Sequence, residues 1–152
     1  MTDTVASDPN LKSLITAMLG SMPFSAALGV RVIAATEGSV TLEAPLTPAF
    51  EAPAGAFAAS SVGALGDMAI MLSLTAALPL GNAVSTMDFT VKMLGLSHGT
   101  HLRATGRVLQ LGKSTCVGAA DVFIVNNNEP IICGTVLATG RRLDVAKLRQ
   151  QT

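Results

Sequence analysis

The sequence predicts an α+β fold: a long apolar helix lying against the concave face of a curled antiparallel sheet. Three observations predict it. Residues 56–78, AFAASSVGALGDMAIMLSLTAAL, are almost all small or apolar and read as one buried helix. From residue 83 onward the chain alternates apolar and polar residues, the period of half-buried strands. Turn signals join those strands as hairpins, with no crossover helices between them, which excludes a doubly wound parallel sheet.

The elements follow in order. Residues 1–8 read as a frayed tail. Asp8 is placed to cap a helix that opens on Pro9, with Leu11, Leu14, Ile15, Met18 and Leu19 at helical spacing. Gly20 and Pro23 end it. VRVIAATEGSVTLEAPLT reads as two strands joined at Glu37-Gly38. The loop PAFEAPAG leads into the long helix. In AVSTMDFTVKML, Thr86, Asp88, Thr90 and Lys92 fall on one face and Met87, Phe89, Val91 and Met93 on the other. THLRATGRVLQL turns through Gly112-Lys113 into STCVGAADVFIV. The cluster from Asn126 to Pro130 is a turn, IICGTVLATGRRL is the last strand, and DVAKLRQQT is a short helix or a frayed end. The division is thus residues 1–22 as tail and helix, 23–143 as the main domain, and 144–152 as a C-terminal tail.

The composition narrows the function classes. Ten basic and ten acidic residues in 152 cancel, so no basic field exists to attract nucleic acid. Charged residues make up 13% and hydrophobic ones 49%, too little polar surface to cover a lone globule. Burial between subunits is expected. Cys116 and Cys133 match no zinc spacing and read as reduced core thiols. MTDTVASDPN lacks the charged and apolar regions of a signal peptide, so cytoplasm is the expected location. The apolar run from Met68 to Leu80 is too short to span a bilayer, so no membrane role is expected.

Asp67 is the one charge within the long helix, and a carboxylate there is costly to bury without a partner. Read from the residues alone, it is either a functional acid or a structural group bonded to a serine or a backbone amide.

The order of elements and several segments resemble the hotdog fold, in the PaaI-like branch of the acyl-CoA thioesterase superfamily. The resemblance covers residues 23–143. PFSAALGVRV resembles the family's opening, ALGDMA its Leu-x-Asp-x-Ala segment, VSTMDFTVKML its third strand and GRVLQLGKSTCVGAADVF its next hairpin. The family's Gly-x-x-His-Gly-Gly is filled here by Gly55-Ala56-Phe57-Ala58-Ala59-Ser60. Asp67 stands nine residues after Ala58, where the family has its acidic residue. Two family groups are absent: its His is Ala58, and its frequent Asn is Ala52.

The resemblance implies hydrolysis of an acyl-CoA thioester in a homodimer or homotetramer, with no cofactor and no metal. It implies oxyanion donors from one subunit and the acid from its neighbour. Distance agrees, since nine residues of helix span about 13 Å. Backbone amides near Ala59 and Ser60, next to Ala58, would polarise the carbonyl. Asp67 would activate water or attack, and Ser85 would position water or the carboxylate. Met68 and Met71, with Leu72, would line the acyl slot. Lys113, Arg141 and Arg142 either meet the phosphates of coenzyme A or are ordinary solvated charges. His98 and His101 lack a third metal ligand, and no Gly-x-Ser-x-Gly elbow is present. The rival readings are a non-hydrolytic acyl-CoA-binding protein and a structural oligomer.

Overall fold

The structure is a computed structural model that describes residues 7–48, 51–95, 98–148 and 150. The first residues of the expected tail, positions 49 and 50 of the loop, and the last residues lie outside that set. Helix α1 (Pro9–Gly20) begins as its sequence dictates: the Asp8 carboxylate accepts from the amides of Asn10 and Leu11. Pro23 does more than end a helix. It opens a second one, α2 (Pro23–Leu28), because proline suits the first helical turn. Gly29, at φ 64°, stops α2 in the left-handed conformation that glycine reaches at little cost.

Strands β1 (Arg31–Thr36) and β2 (Ser39–Pro45) form the expected hairpin about Glu37-Gly38. A two-residue ladder of β3 (Glu51–Ala52) and β4 (Ala56–Phe57) follows. Helix α3 therefore starts at Ala59 rather than at residue 56, and runs to Ala76. Phe57 is buried in extended conformation, and Ala58 is the cap. Four long strands complete the chain: β5 (Asn82–Met93), β6 (His101–Leu111), β7 (Thr115–Asn126) and β8 (Glu129–Asp144). Asn127 and Asn128, at φ 50° and 65°, make the tight β7–β8 turn. A short helix α4 (Val145–Leu148) follows.

The six long strands form one antiparallel sheet in the order β1-β2-β6-β7-β8-β5. This is the hotdog architecture, with α3 as its filling. The helix is long and apolar enough to cross a bilayer, yet most of it is buried by the sheet of its own chain. Small residues allow that wrap. A Cβ at Gly106 would lie 2.3 Å from Ala69 O, and one at Gly66 would lie 2.4 Å from Val136 Cγ2, so β6 and α3 meet at backbone distance. Ser73, fully buried, ties helix to sheet. Its hydroxyl donates to Ala69 O at 2.6 Å and accepts from Val40 N at 2.9 Å.

One irregularity positions the site. The β5–β8 register jumps between Thr86 and Asp88, leaving Met87 as an extra residue. A bulge of this kind reverses the alternation of faces. Val84 and Thr86 face α3 before it; Phe89 and Val91 face α3 after it, against Gly63. Strict alternation had put Thr86 opposite Phe89.

Candidate active site

Asp67 leaves the middle of α3 toward the start of β5. It is half-buried, and the Thr86 hydroxyl lies 3.0 Å from Oδ1 and 2.9 Å from Oδ2. Burial pushes its carboxyl above the usual carboxylate range, and the hydrogen bond from Thr86 partly opposes that.

The carboxylate forms the polar wall of a cavity of about 260 Å³. Met18 and Met22 approach it from α1 and the turn after it, Met68, Met71 and Leu72 from α3, and Ser85 and Thr86 from β5. Of the expected residues, the fold thus brings together Asp67, Ser85, Met68 and Met71. The partner of the carboxylate is Thr86 rather than Ser85. Ser85 is exposed and pairs in register with Arg141.

Ala58, Ala59 and Ser60 are not part of that cavity. They form the N-terminus of α3, where the amides of Ser61 and Val62 both donate to Ala58 O. No side chain caps this end. Ala59 and Ser60 are exposed, and their first-turn amides lie at the positive end of the helix dipole. Within one chain they sit about 11–12 Å along the axis from Asp67.

Lys113, Arg141 and Arg142 form a third group. Arg142 N donates to Ser114 O, beside Lys113 in the β6–β7 turn, and Thr115 pairs with Arg141. Arg142 Nε donates to Asn82 Oδ1 at 2.9 Å, and Arg142 pairs with Val84, a residue of the cavity wall. Backbone pairing thus brings these three residues to one end of the sheet, near the start of β5. Arg141 and Arg142, being consecutive on a strand, point to opposite faces.

A fourth group had no signal in the sequence. Glu43 is buried on the outer face of the sheet, in register with Arg31 on one side and Arg103 on the other. Arg103 Nε and Nη2 donate to its Oε1 at 2.8 and 2.6 Å, Arg31 Nη2 lies 3.4 Å from Oε2, and His101 Nε2 lies 3.5 Å from Oε1. The cluster locks β1, β2 and β6 together, on the side of the sheet away from α3. His98 instead bridges to Ala56. Among the described residues no three His, Cys, Asp or Glu side chains gather to hold a metal.

No protein-family model matches the sequence, and no curated protein does. Solved structures do match. A thioesterase family protein from Silicibacter pomeroyi superposes with a TM-score of 0.83, over 88% of this chain and 98% of its own, at 23% identity. A thioesterase from Haemophilus influenzae gives 0.74 over 90% of each chain at 20% identity. The PaaI protein of the Escherichia coli phenylacetic acid degradation operon gives 0.72 over 84% of this chain and 88% of its own, at 21% identity.

Proposed function

From the hotdog fold that this chain shares with thioesterase-superfamily structures, we propose that it is a thioester hydrolase acting on acyl-CoA. The observation that carries the reading is the placement of one half-buried carboxylate, Asp67, at the wall of a mostly apolar cavity. An acyl group needs such an apolar slot, and its carbonyl carbon needs a base or nucleophile beside it.

The site is built from two chains. A carbonyl polarised by the amides of Ala59 and Ser60 is beyond the reach of Asp67 in the same chain. It comes within reach of the partner subunit's Asp67 if two α3 helices pack antiparallel. The edge strand β5 suits that pairing. It is 12 residues long, its outer edge is unpaired in this chain, and Met87 and Phe89 on it are exposed. In the reaction, Asp67 takes a proton from water as the oxygen attacks the carbonyl carbon, or attacks directly to form an anhydride that water then opens. The amides hold the oxyanion, and collapse expels the coenzyme A thiolate, which is protonated by solvent. Lys113, Arg141 and Arg142, beside the cavity, supply charge for the coenzyme's phosphates. A protein of this kind works in the cytoplasm, where coenzyme A thioesters are made and used.

A second reading has its own support: Ala58 and Ala52 stand where the resembling family carries its His and its Asn, as in a protein that binds acyl-CoA without hydrolysing it. Thiol release from a panel of acyl-CoAs separates the two. The division between subunits has a sharper test. Ala59→Pro removes one amide donor at a helix position that tolerates proline, since Ala58 already has φ −66° and ψ 146°. Loss of one oxyanion donor costs about 10²–10³-fold. Co-expressed Ala59→Pro and Asp67→Asn chains should regain about a quarter of wild-type turnover, because half the dimers are mixed and each holds one intact site. No recovery on mixing would place the site within one chain.

A further inference from the structure

The Asp67 cavity does not end at its own walls. It shares Met18, Thr75 and Ala83 with a second cavity of about 500 Å³. That one runs between α1 and the C-terminal end of α3, walled by Leu11, Leu14, Ile15, Leu78, Pro79 and Leu80. Among the described residues Asp67 is the one ionisable side chain on either wall, and it stands at one end. Leu14 and Leu80 are exposed at the other end, so the space opens to solvent there.

We propose, resting on the thioesterase reading, that the two cavities are one acyl channel built for an unbranched aliphatic chain of about eight to ten carbons. Length argues for this. Asp67 to Thr75, at the waist, is eight residues of helix, about 12 Å, so a chain of eight to ten carbons reaches from the carboxylate to the mouth of the second cavity. An extended alkyl chain, with C–C bonds near 1.5 Å, advances about 1.3 Å per carbon. Wall chemistry argues for it too. Among the described residues, neither cavity has an aromatic side chain to stack on an aryl ring. Methionines line the end nearest Asp67, and their unbranched, polarizable side chains conform to a flexible alkyl chain. The described residues of the walls include no cation, which disfavours an acyl group that carries a second carboxylate. The specificity-determining element is then α1, whose Met18 closes the waist between the two cavities.

The test is a series of straight-chain acyl-CoAs from butyryl to decanoyl, with phenylacetyl-CoA alongside. The expected result is a kcat/KM about 10³-fold higher for decanoyl than for butyryl, since each of the six added methylenes contributes roughly threefold to fourfold when buried, with phenylacetyl at least about tenfold below octanoyl. Ala83→Phe fills the waist, and Leu14→Asp puts a charge in the far half at an exposed position that the fold tolerates. Each should lower the decanoyl-to-butyryl ratio at least about tenfold. Hydrolysis without length preference, or a ratio unmoved by both variants, would overturn the channel and leave the thioesterase reading standing. If no thioester is cleaved, that reading fails, and calorimetry with a non-hydrolysable decanoyl thioether of coenzyme A decides the channel. Binding lost in Ala83→Phe supports it; binding no tighter than that of coenzyme A alone overturns it.

Discussion

The Thr86 hydroxyl lies within 3.0 Å of both oxygens of Asp67. One hydroxyl has one proton, so it is shared between two acceptors and fixes the plane of the carboxylate. Its donation favours the ionised form, while burial favours the neutral one and outweighs it.

The first prediction follows from that balance. A base must be ionised to act, so the acid limb of kcat/KM should fall above the ordinary carboxylate range. Thr86→Val removes the donor and should move the limb to still higher pH. Thr86→Ser keeps a hydroxyl and should leave it where it is. A pH–rate profile that is the same in all three proteins would detach Thr86 from the chemistry.

Asp67→Asn keeps the shape and removes the charge. Thiol release should fall about 10²–10⁴-fold. Stability should respond in the opposite sense. Because burial raises the Asp67 pKa in the fold, its neutral form is favoured there, and the folded state loses stability as pH rises from the unfolded carboxylate value through the raised one. The melting temperature of Asp67→Asn relative to wild type should therefore be higher at pH 7.5 than at pH 4. A difference independent of pH would mean that burial of this charge carries no cost.

Ala58 caps α3 without a polar side chain. Ala58→His supplies a donor next to the amides and should raise kcat/KM about tenfold, or about 1.4 kcal/mol of transition-state stabilisation. The carbonyl end of the substrate is otherwise held by the amides alone, and poor placement costs rate steeply. A flat or lower rate in a variant that folds and binds coenzyme A would show that the amides already suffice.

Two glycines contrast the packed and open parts of the fold. Gly106→Ala pushes a methyl into the backbone of α3 and should cost about 1–3 kcal/mol. For a chain of this size that is roughly 2–4 °C of melting temperature per kcal/mol. Gly20→Ala, at a helical position with nothing within 4 Å, should be neutral or stabilise by about 0.4–1 kcal/mol. Thermal melts that do not separate the two would contradict the close contact of β6 with α3.

The elements were legible where a single period ran unbroken. The hairpins, the long helix and Asp67 in its middle all follow from spacing and composition. The start of α3 was misplaced by three residues because Ala56 and Phe57 are as apolar as the helix, and only pairing with Glu51–Ala52 makes them a strand. Helix α2 was hidden because Pro23 serves equally to stop one helix and to start the next. Thr86 was hidden by the bulge, which no residue type announces. The Glu43 cluster unites Arg31, Glu43, His101 and Arg103, groups up to 72 positions apart in the chain, and only strand order brings them together.

The extra residue at Met87 makes β5 two half-strands in one. The first half answers to the chemistry of Asp67, the second to the packing over Gly63, and each keeps its own phase. Substitutions in one half leave the inward set of the other intact, so the two can drift separately. Loss of a single residue between them would force a choice: either Thr86 turns away from the carboxylate, or Phe89 and Val91 turn away from Gly63. A regular strand grafted in place of β5 would meet the same choice, however well its hydrophobic pattern matched.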